Sequence, residues 1–133
     1  MKPISPTLHG VIDYVAVVVF AVAPTVVGLS GWPAILSYAL AGIHLLMTAL
    51  TDFPAGVVRV LPVAVHDWVE RIVGPVLFIL AFVPPIGSTA GARIFFAAMG
   101  LIIFAVERLT TYRTEMRPPS GNMRAYQADR PQV

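Results

Sequence analysis

Residues 9–29 read HGVIDYVAVVVFAVAPTVVGL, and among them only Asp13 carries a full charge at neutral pH. About 20 predominantly apolar residues are needed for a helix to cross the hydrocarbon core of a bilayer. Apolar side chains surround most of the helix circumference instead of forming one stripe, which is typical of a helix in contact with lipid. This stretch therefore predicts a transmembrane helix.

Three further stretches have the same length and character, and they cover residues 33–53, 63–86 and 90–112. The sequences Ser-Gly-Trp-Pro at 30–33 and Pro-Pro-Ile-Gly-Ser at 84–88 are typical of turns and separate the members of each pair. Backbone groups in lipid must be paired within their own segment, so each span is expected to be helical. We therefore predict an all-α fold, a four-transmembrane-helix bundle formed by residues 1–112.

Composition agrees with a membrane protein. Hydrophobic residues make up 57% of the chain and charged residues 12%, about half the share in soluble proteins. A soluble chain of 133 residues would need more charge to cover its large relative surface. The chain has no cysteine, which excludes disulfides, thiolate metal sites and iron–sulfur clusters.

Basic residues are distributed asymmetrically about the predicted spans. Of the nine Lys and Arg residues, only Arg93 falls on the side opposite the termini and the middle connection. Cytoplasmic segments carry the excess of Lys and Arg, so we predict a multi-pass protein of the inner membrane with both termini in the cytoplasm. Residues 113–133 are polar and Pro-containing, and we predict a disordered cytoplasmic tail.

The two halves of the chain resemble each other. His9 precedes Asp13 by four positions at the start of the first span, and His66 precedes Glu70 by four at the start of the third. This spacing places an imidazole and a carboxylate on one face of a helix. The second span ends in Thr-Asp-Phe at 51–53 and the fourth in Thr-Thr-Tyr at 110–112. We therefore predict two pseudo-symmetric helical hairpins, at about 9–53 and 66–112, related by an axis along the membrane normal.

These features resemble the bacterial SPW-repeat membrane proteins, a family with paired two-helix units that each open with a histidine and an acidic residue. The middle connection, LTDFPAGVVRVLP at 50–62 followed by His66, is similar to that of the family. The Ser-Pro-Trp triplet itself is not retained: Ala-Pro-Thr stands at 23–25 and Val-Pro-Pro at 83–85. The resemblance implies the topology and the repeat, and it supplies no reaction or substrate.

Ionisable residues concentrate at the predicted cytoplasmic ends of the spans. A charged side chain at the centre of a membrane helix costs roughly 2.5–3.5 kcal/mol, so such residues are retained where they pair or function. The candidate polar, proton-carrying or metal-binding cluster comprises His9, Asp13, Asp52, His66, Asp67, Glu70 and Glu107, with Arg71 and Arg108 as possible ion-pair partners.

Three interpretations of this cluster stay open. Ion pairs one turn apart, such as Asp67 with Arg71, would hold helices together. Two His-x-x-x-acid faces converging across the pseudo-two-fold axis would offer two imidazoles and two carboxylates, a donor set suited to zinc, iron or manganese. Four-helix-bundle metal sites typically use Glu-x-x-His spacing instead. A path for protons or a solute is the third interpretation. The sequence favours the first, and it identifies no catalytic residue and no metal ligand.

His44 is predicted to lie apart from this cluster, within the membrane. It precedes Asp52 by about two turns and is thus roughly 12 Å deeper at 1.5 Å per residue. Haem ligation by two histidines needs a partner imidazole at equal depth, and His9 and His66 are predicted near the interface. A neutral histidine bonded to another helix is the simpler expectation.

The function predicted from the sequence is a non-enzymatic structural or accessory membrane component. No phosphate-binding loop, nucleophile elbow or zinc-protease motif occurs, and nothing calls for a cofactor. The alternatives are a small transporter or channel-like oligomer and a metal- or haem-binding membrane protein. Expected partners are the lipid bilayer and copies of the chain or a larger membrane complex; the four arginines of the tail are too sparse for nucleic-acid binding.

The predicted topology can be tested with reporters fused after Val133. In a bacterial host, a fluorescent protein at this position should fluoresce and an alkaline phosphatase should be inactive, because both should remain in the cytoplasm. Active phosphatase would show that the C-terminus lies outside and would contradict the predicted orientation.

Overall fold

The computed structural model describes residues 3–110, and this part of the chain is helical with no β-strand. Four α-helices carry the fold, with a short 3-10 helix at Ile86–Ser88 before the last: α1 Pro6–Val26, α2 Trp32–Leu50, α3 Val63–Leu80 and α4 Ala90–Leu109. The predicted all-α fold with four helices is confirmed. The predicted disordered tail, residues 113–133, lies outside the described residues.

Side-chain capping explains where α1 and α4 begin. α1 starts before the predicted position because the Ser5 hydroxyl caps it, accepting a hydrogen bond from the Leu8 amide at 3.2 Å, and Pro6 fits the first turn. The Thr89 hydroxyl accepts a hydrogen bond from the Ala92 amide at 3.1 Å and caps α4 in the same way.

The helices end earlier than predicted. α1 ends at Val26, shortly before Gly28, which has a φ of +73°. α2 ends at Leu50 because Thr51 is extended and pairs with Leu61 in a β-bridge. α3 was predicted to reach residue 86, which is wrong: it ends at Leu80. Two prolines follow at 84 and 85, and a proline lacks the amide that a continuing helix would use.

Three of the described helices, α1, α2 and α4, are long and apolar enough to cross a membrane. α3 carries Asp67, Glu70 and Arg71 in its first turns and is apolar after them. Large apolar side chains cover the outside of the bundle, as at Val18 of α1 and Ile94 of α4. An apolar exterior of this extent fits contact with lipid.

The helices pack as two hairpins, α1 against α2 and α3 against α4. Two β-bridges lie at the end of the bundle where α1 and α3 begin. In one, Thr51 pairs with Leu61, and in the other, Ile4 pairs with Thr110. Leu61 precedes α3 as Ile4 precedes α1, and Thr110 follows α4 as Thr51 follows α2. The second half therefore repeats the connections of the first, which confirms the predicted pseudo-symmetric hairpins.

Small residues allow the backbones of α3 and α4 to approach closely. A Cβ atom on Gly100 would lie 2.6 Å from both the Gly74 carbonyl oxygen and the Phe78 amide nitrogen. Both neighbours are backbone atoms, which cannot move aside as a flexible side chain can. The buried core continues from here through Phe96, Leu77 and Phe20.

Gly100→Ala should destabilise the protein, because the added methyl group overpacks the α3–α4 contact at a cost of about 1–3 kcal/mol. Gly42→Ala is the matched control, since a Cβ atom on Gly42 would meet nothing within 4 Å. Thermal unfolding of both variants in detergent measures the difference. Equal melting temperatures would contradict the described packing of α3 against α4.

Candidate metal centre

Four buried side chains converge between the two hairpins. α1 contributes His9 and Asp13, and α3 contributes His66 and Glu70. One ligand atom from each residue can be chosen so that all four lie within 4.8 Å of one another. The i, i+4 spacing places imidazole and carboxylate on one face of each helix, and the pseudo-symmetric arrangement turns both faces inward. The structure thus brings together both His-x-x-x-acid pairs found in the sequence.

Four distances between imidazole nitrogens and carboxylate oxygens in this group are close to the edge length of a coordination tetrahedron. His9 Nε2 lies 3.4 Å from Asp13 Oδ2 and 3.2 Å from Glu70 Oε2. His66 Nε2 lies 3.4 Å from Asp13 Oδ2 and 3.3 Å from Glu70 Oε1. Tetrahedral coordination at ~2.0–2.2 Å requires ligand atoms about 3.3–3.6 Å apart.

Two threonines fix the orientation of the imidazoles. His66 Nδ1 lies 2.9 Å from the Thr51 hydroxyl, and that hydroxyl donates its own proton to the Met47 carbonyl at 2.6 Å. The threonine oxygen therefore accepts a hydrogen bond from Nδ1–H, which leaves Nε2 facing the carboxylates. An Nδ1–H donor of this kind is the usual support for a histidine that ligates metal through Nε2.

The same arrangement holds the other imidazole. His9 Nδ1 lies 2.9 Å from the Thr110 hydroxyl, which donates to the Val106 carbonyl at 2.6 Å. The threonines recur at the ends of the second and fourth spans of the sequence, but no role was predicted for them. Their recurrence at equivalent positions is the sequence signal that corresponds to these contacts.

Three inward-facing atoms lack a hydrogen bond. Within residues 3–110, no hydrogen-bond partner reaches His66 Nε2, Asp13 Oδ2 or Glu70 Oε2, although all three atoms are buried. Buried polar atoms are normally paired because the unpaired state costs about 1–3 kcal/mol or more. A cation between the two carboxylates would satisfy all three atoms at once.

His44 joins this group, so the prediction that it lies apart is wrong. Its Nε2 is 3.7 Å from Asp13 Oδ1 and 3.8 Å from Glu70 Oε1. The depth of His44 in the bundle was predicted relative to the other histidines, which lie near the helix ends. The carboxylates lie one turn deeper than those histidines. Because α2 runs in the opposite direction, His44 lies at the same depth as the carboxylates.

The remaining predicted cluster residues pair with arginines or lie exposed. Arg71 lies 2.7 Å from Glu107 and 3.1 Å from Asp67, and Arg108 lies 3.1 Å from Glu107, so the predicted ion-pair partners do pair. Asp52 is exposed in the α2–α3 connection. The predicted cluster residues therefore comprise the buried His/carboxylate group, the ion-pair group of Asp67, Arg71, Glu107 and Arg108, and the exposed Asp52.

The α2–α3 connection covers the histidines. The buried Phe53 ring lies 5.8 Å from the His66 ring and 6.5 Å from the His9 ring, measured between centroids. Tyr14 fastens the connection to α1 by donating a hydrogen bond to the Ala55 carbonyl at 3.1 Å. The site is therefore shielded at the end of the bundle where α1 and α3 begin.

Comparison with known proteins identifies no relative: no family model, no curated protein and no solved structure matches the chain. The resemblance to SPW-repeat proteins stays a prediction.

Thr51→Val should destabilise the fold by about 1–3 kcal/mol, because it leaves the buried His66 Nδ1–H without an acceptor. Thr48→Val is the matched control, since the buried Thr48 hydroxyl makes no hydrogen bond within the described residues and valine has its shape. Chemical or thermal unfolding in detergent measures both. A larger loss for Thr48→Val would contradict the assigned histidine support.

Proposed function

We propose that this protein binds a divalent transition-metal ion within the membrane, using His9, Asp13, His66 and Glu70 as ligands. The observation that carries the proposal is the convergence of two oriented imidazoles and two carboxylates on one buried point. The described helices α1 and α3 present the donors from opposite hairpins, so the ion would also join the two halves of the bundle.

The donor set indicates which ions fit. Imidazole nitrogen suits zinc, iron, nickel and copper, while carboxylate oxygen extends the range toward manganese. Two donors of each kind favour zinc, ferrous iron or manganese. These are the metals that the sequence predicted for two converging His-x-x-x-acid faces. Two carboxylates also supply the charge that balances a divalent cation, which matters where lipid and protein replace water.

The alternative is a structural ion-pair network in which both imidazoles are protonated and balance the carboxylates. A protonated imidazole that donates to a carboxylate normally forms a bond of about 2.7–2.9 Å. The four Nε2–carboxylate distances are 3.2–3.4 Å, and those of His66 lack hydrogen-bond geometry. These distances favour four donors arranged around an ion over direct pairing.

Haem binding fits the site less well. The rings of His44 and His66 are 6.2 Å apart between centroids, but oxygen atoms of Asp13 and Glu70 lie 3.3–3.8 Å from their Nε2 atoms. Those carboxylates occupy the space where a porphyrin would have to lie. We further propose, from the charge asymmetry, that the site lies on the cytoplasmic side of the inner membrane.

Metal analysis of the purified protein tests the proposal. Protein without a polyhistidine tag should contain about one metal ion per chain after dialysis, since residues 3–110 form one such four-donor set. Asp13→Asn and Glu70→Gln should lose the metal, because each replaces a charged ligand with a neutral group of similar shape. Asp52→Asn, in the exposed connection, should keep it.

The metal affinity of the Thr51→Val variant distinguishes metal binding from a purely structural role of the site. Loss of a group that supports a ligand typically weakens metal affinity by about 10–100-fold. Metal should also raise the melting temperature of chelator-treated protein, with about 2.7 kcal/mol of stabilisation at 100 times the dissociation constant. Unchanged melting on metal addition and metal-free wild-type protein would contradict the proposal in favour of the ion-pair network.

A further inference from the structure

A small cavity adjoins the proposed metal centre on the side of α2. Its volume is about 30 Å³, and His66, Glu70 and His44 form its polar wall. About 10–15 Å³ of such space holds one water molecule, so the cavity has room for two atoms of that size. Two of the four proposed ligands therefore border a space that protein atoms do not fill.

The rest of the cavity wall is apolar. α2 contributes Leu40, Ile43 and Met47, α3 contributes Val69 and Val73, and α4 contributes Ile103. Ile43 is largely exposed on the outside of the bundle, where the apolar helix faces would meet lipid. The cavity thus lies between the two hairpins and next to the hydrocarbon side of α2, while Phe53 shields the end of the site.

His44 is placed to act on a molecule in this cavity. Its Nε2 is 3.7–3.8 Å from the two carboxylates, too far for a hydrogen bond, yet its ring lines the cavity beside both. It has no counterpart in the second hairpin, where Ile103 occupies the equivalent place in α4. The pseudo-symmetric site therefore has an additional imidazole on the α2 side, where the α4 side has an apolar side chain.

We propose, on the basis of the proposed metal site, that a small neutral diatomic molecule such as NO or O₂ reaches the metal from the bilayer through this cavity. His66 and Glu70 would hold ferrous iron beside this cavity, and iron held there would accept a further ligand in addition to the protein donors. A neutral diatomic has little polar surface to desolvate in an apolar passage. His44 is a positioning residue that donates a hydrogen bond to the bound molecule, as polar groups beside iron do in other oxygen- and NO-binding sites.

Nitric oxide added to anaerobic, iron(II)-loaded protein in lipid nanodiscs tests the inference. Wild-type protein should give the electron paramagnetic resonance signal of a ferrous nitrosyl. Leu40→Trp should retain iron and slow NO association by about tenfold or more, because a barrier raised by about 1.4 kcal/mol accounts for a factor of ten. Leu46→Trp is the matched control, since Leu46 is exposed and does not line the cavity.

His44 variants supply an independent readout. His44→Leu should bind iron normally and release NO faster, with an altered nitrosyl signal, and His44→Gln should restore slow release because it keeps a hydrogen-bond donor. Iron-loaded wild-type protein without a nitrosyl signal, or equal association in the two tryptophan variants, would overturn the inference and leave metal binding intact. Protein that takes up no iron overturns the inference, and protein that takes up no divalent metal at all also overturns the proposed function.

Discussion

Two buried carboxyl groups, Asp13 and Glu70, approach each other between the hairpins, and this approach is the constraint on which the rest of the site depends. Two ionised carboxylates repel strongly where water is excluded, so the site needs a positive charge between them or a proton on one of them. The imidazoles of His9 and His66 are within 3.4 Å of both carboxylates. Their support by threonine directs a lone pair inward, which suits a bound cation better than two further protons.

The pseudo-symmetry of the hairpins gives this site its architecture. Each histidine stands at the start of one hairpin and is held by the threonine that ends a hairpin: His66 by Thr51 and His9 by Thr110. Thr110 is far from His9 in the chain, so this bond links the first turn of α1 to the end of α4. A metal ion bound at the centre would fasten both hairpins through their own side chains, and the ion-pair group around Glu107 would reinforce the same end of the bundle.

Hydrophobic length and turn chemistry were sufficient to predict four helices, two hairpins and the His-x-x-x-acid faces. The third helix was predicted to be too long, because a run of apolar residues does not show at which residue before Pro84 the helix ends. The position of His44 was predicted wrongly because its depth was compared with that of the other histidines and not with that of the carboxylates one turn deeper. Helices that are apolar around their circumference give no periodicity from which their facing sides can be read. Thus the contact of His44 with the carboxylates could not be predicted.

X-ray absorption at the zinc edge tests the central claim most directly, because it reports the atoms around the ion in the intact protein. Zinc-loaded protein in detergent should show a first shell of nitrogen and oxygen at ~2.0–2.2 Å, with the outer-shell scattering of two imidazoles. Asp13→Asn should lose this signal, because the variant should not retain the ion. A first shell without imidazole scattering, or a spectrum identical to that of zinc in buffer, would show that the ion lies elsewhere and would contradict the account.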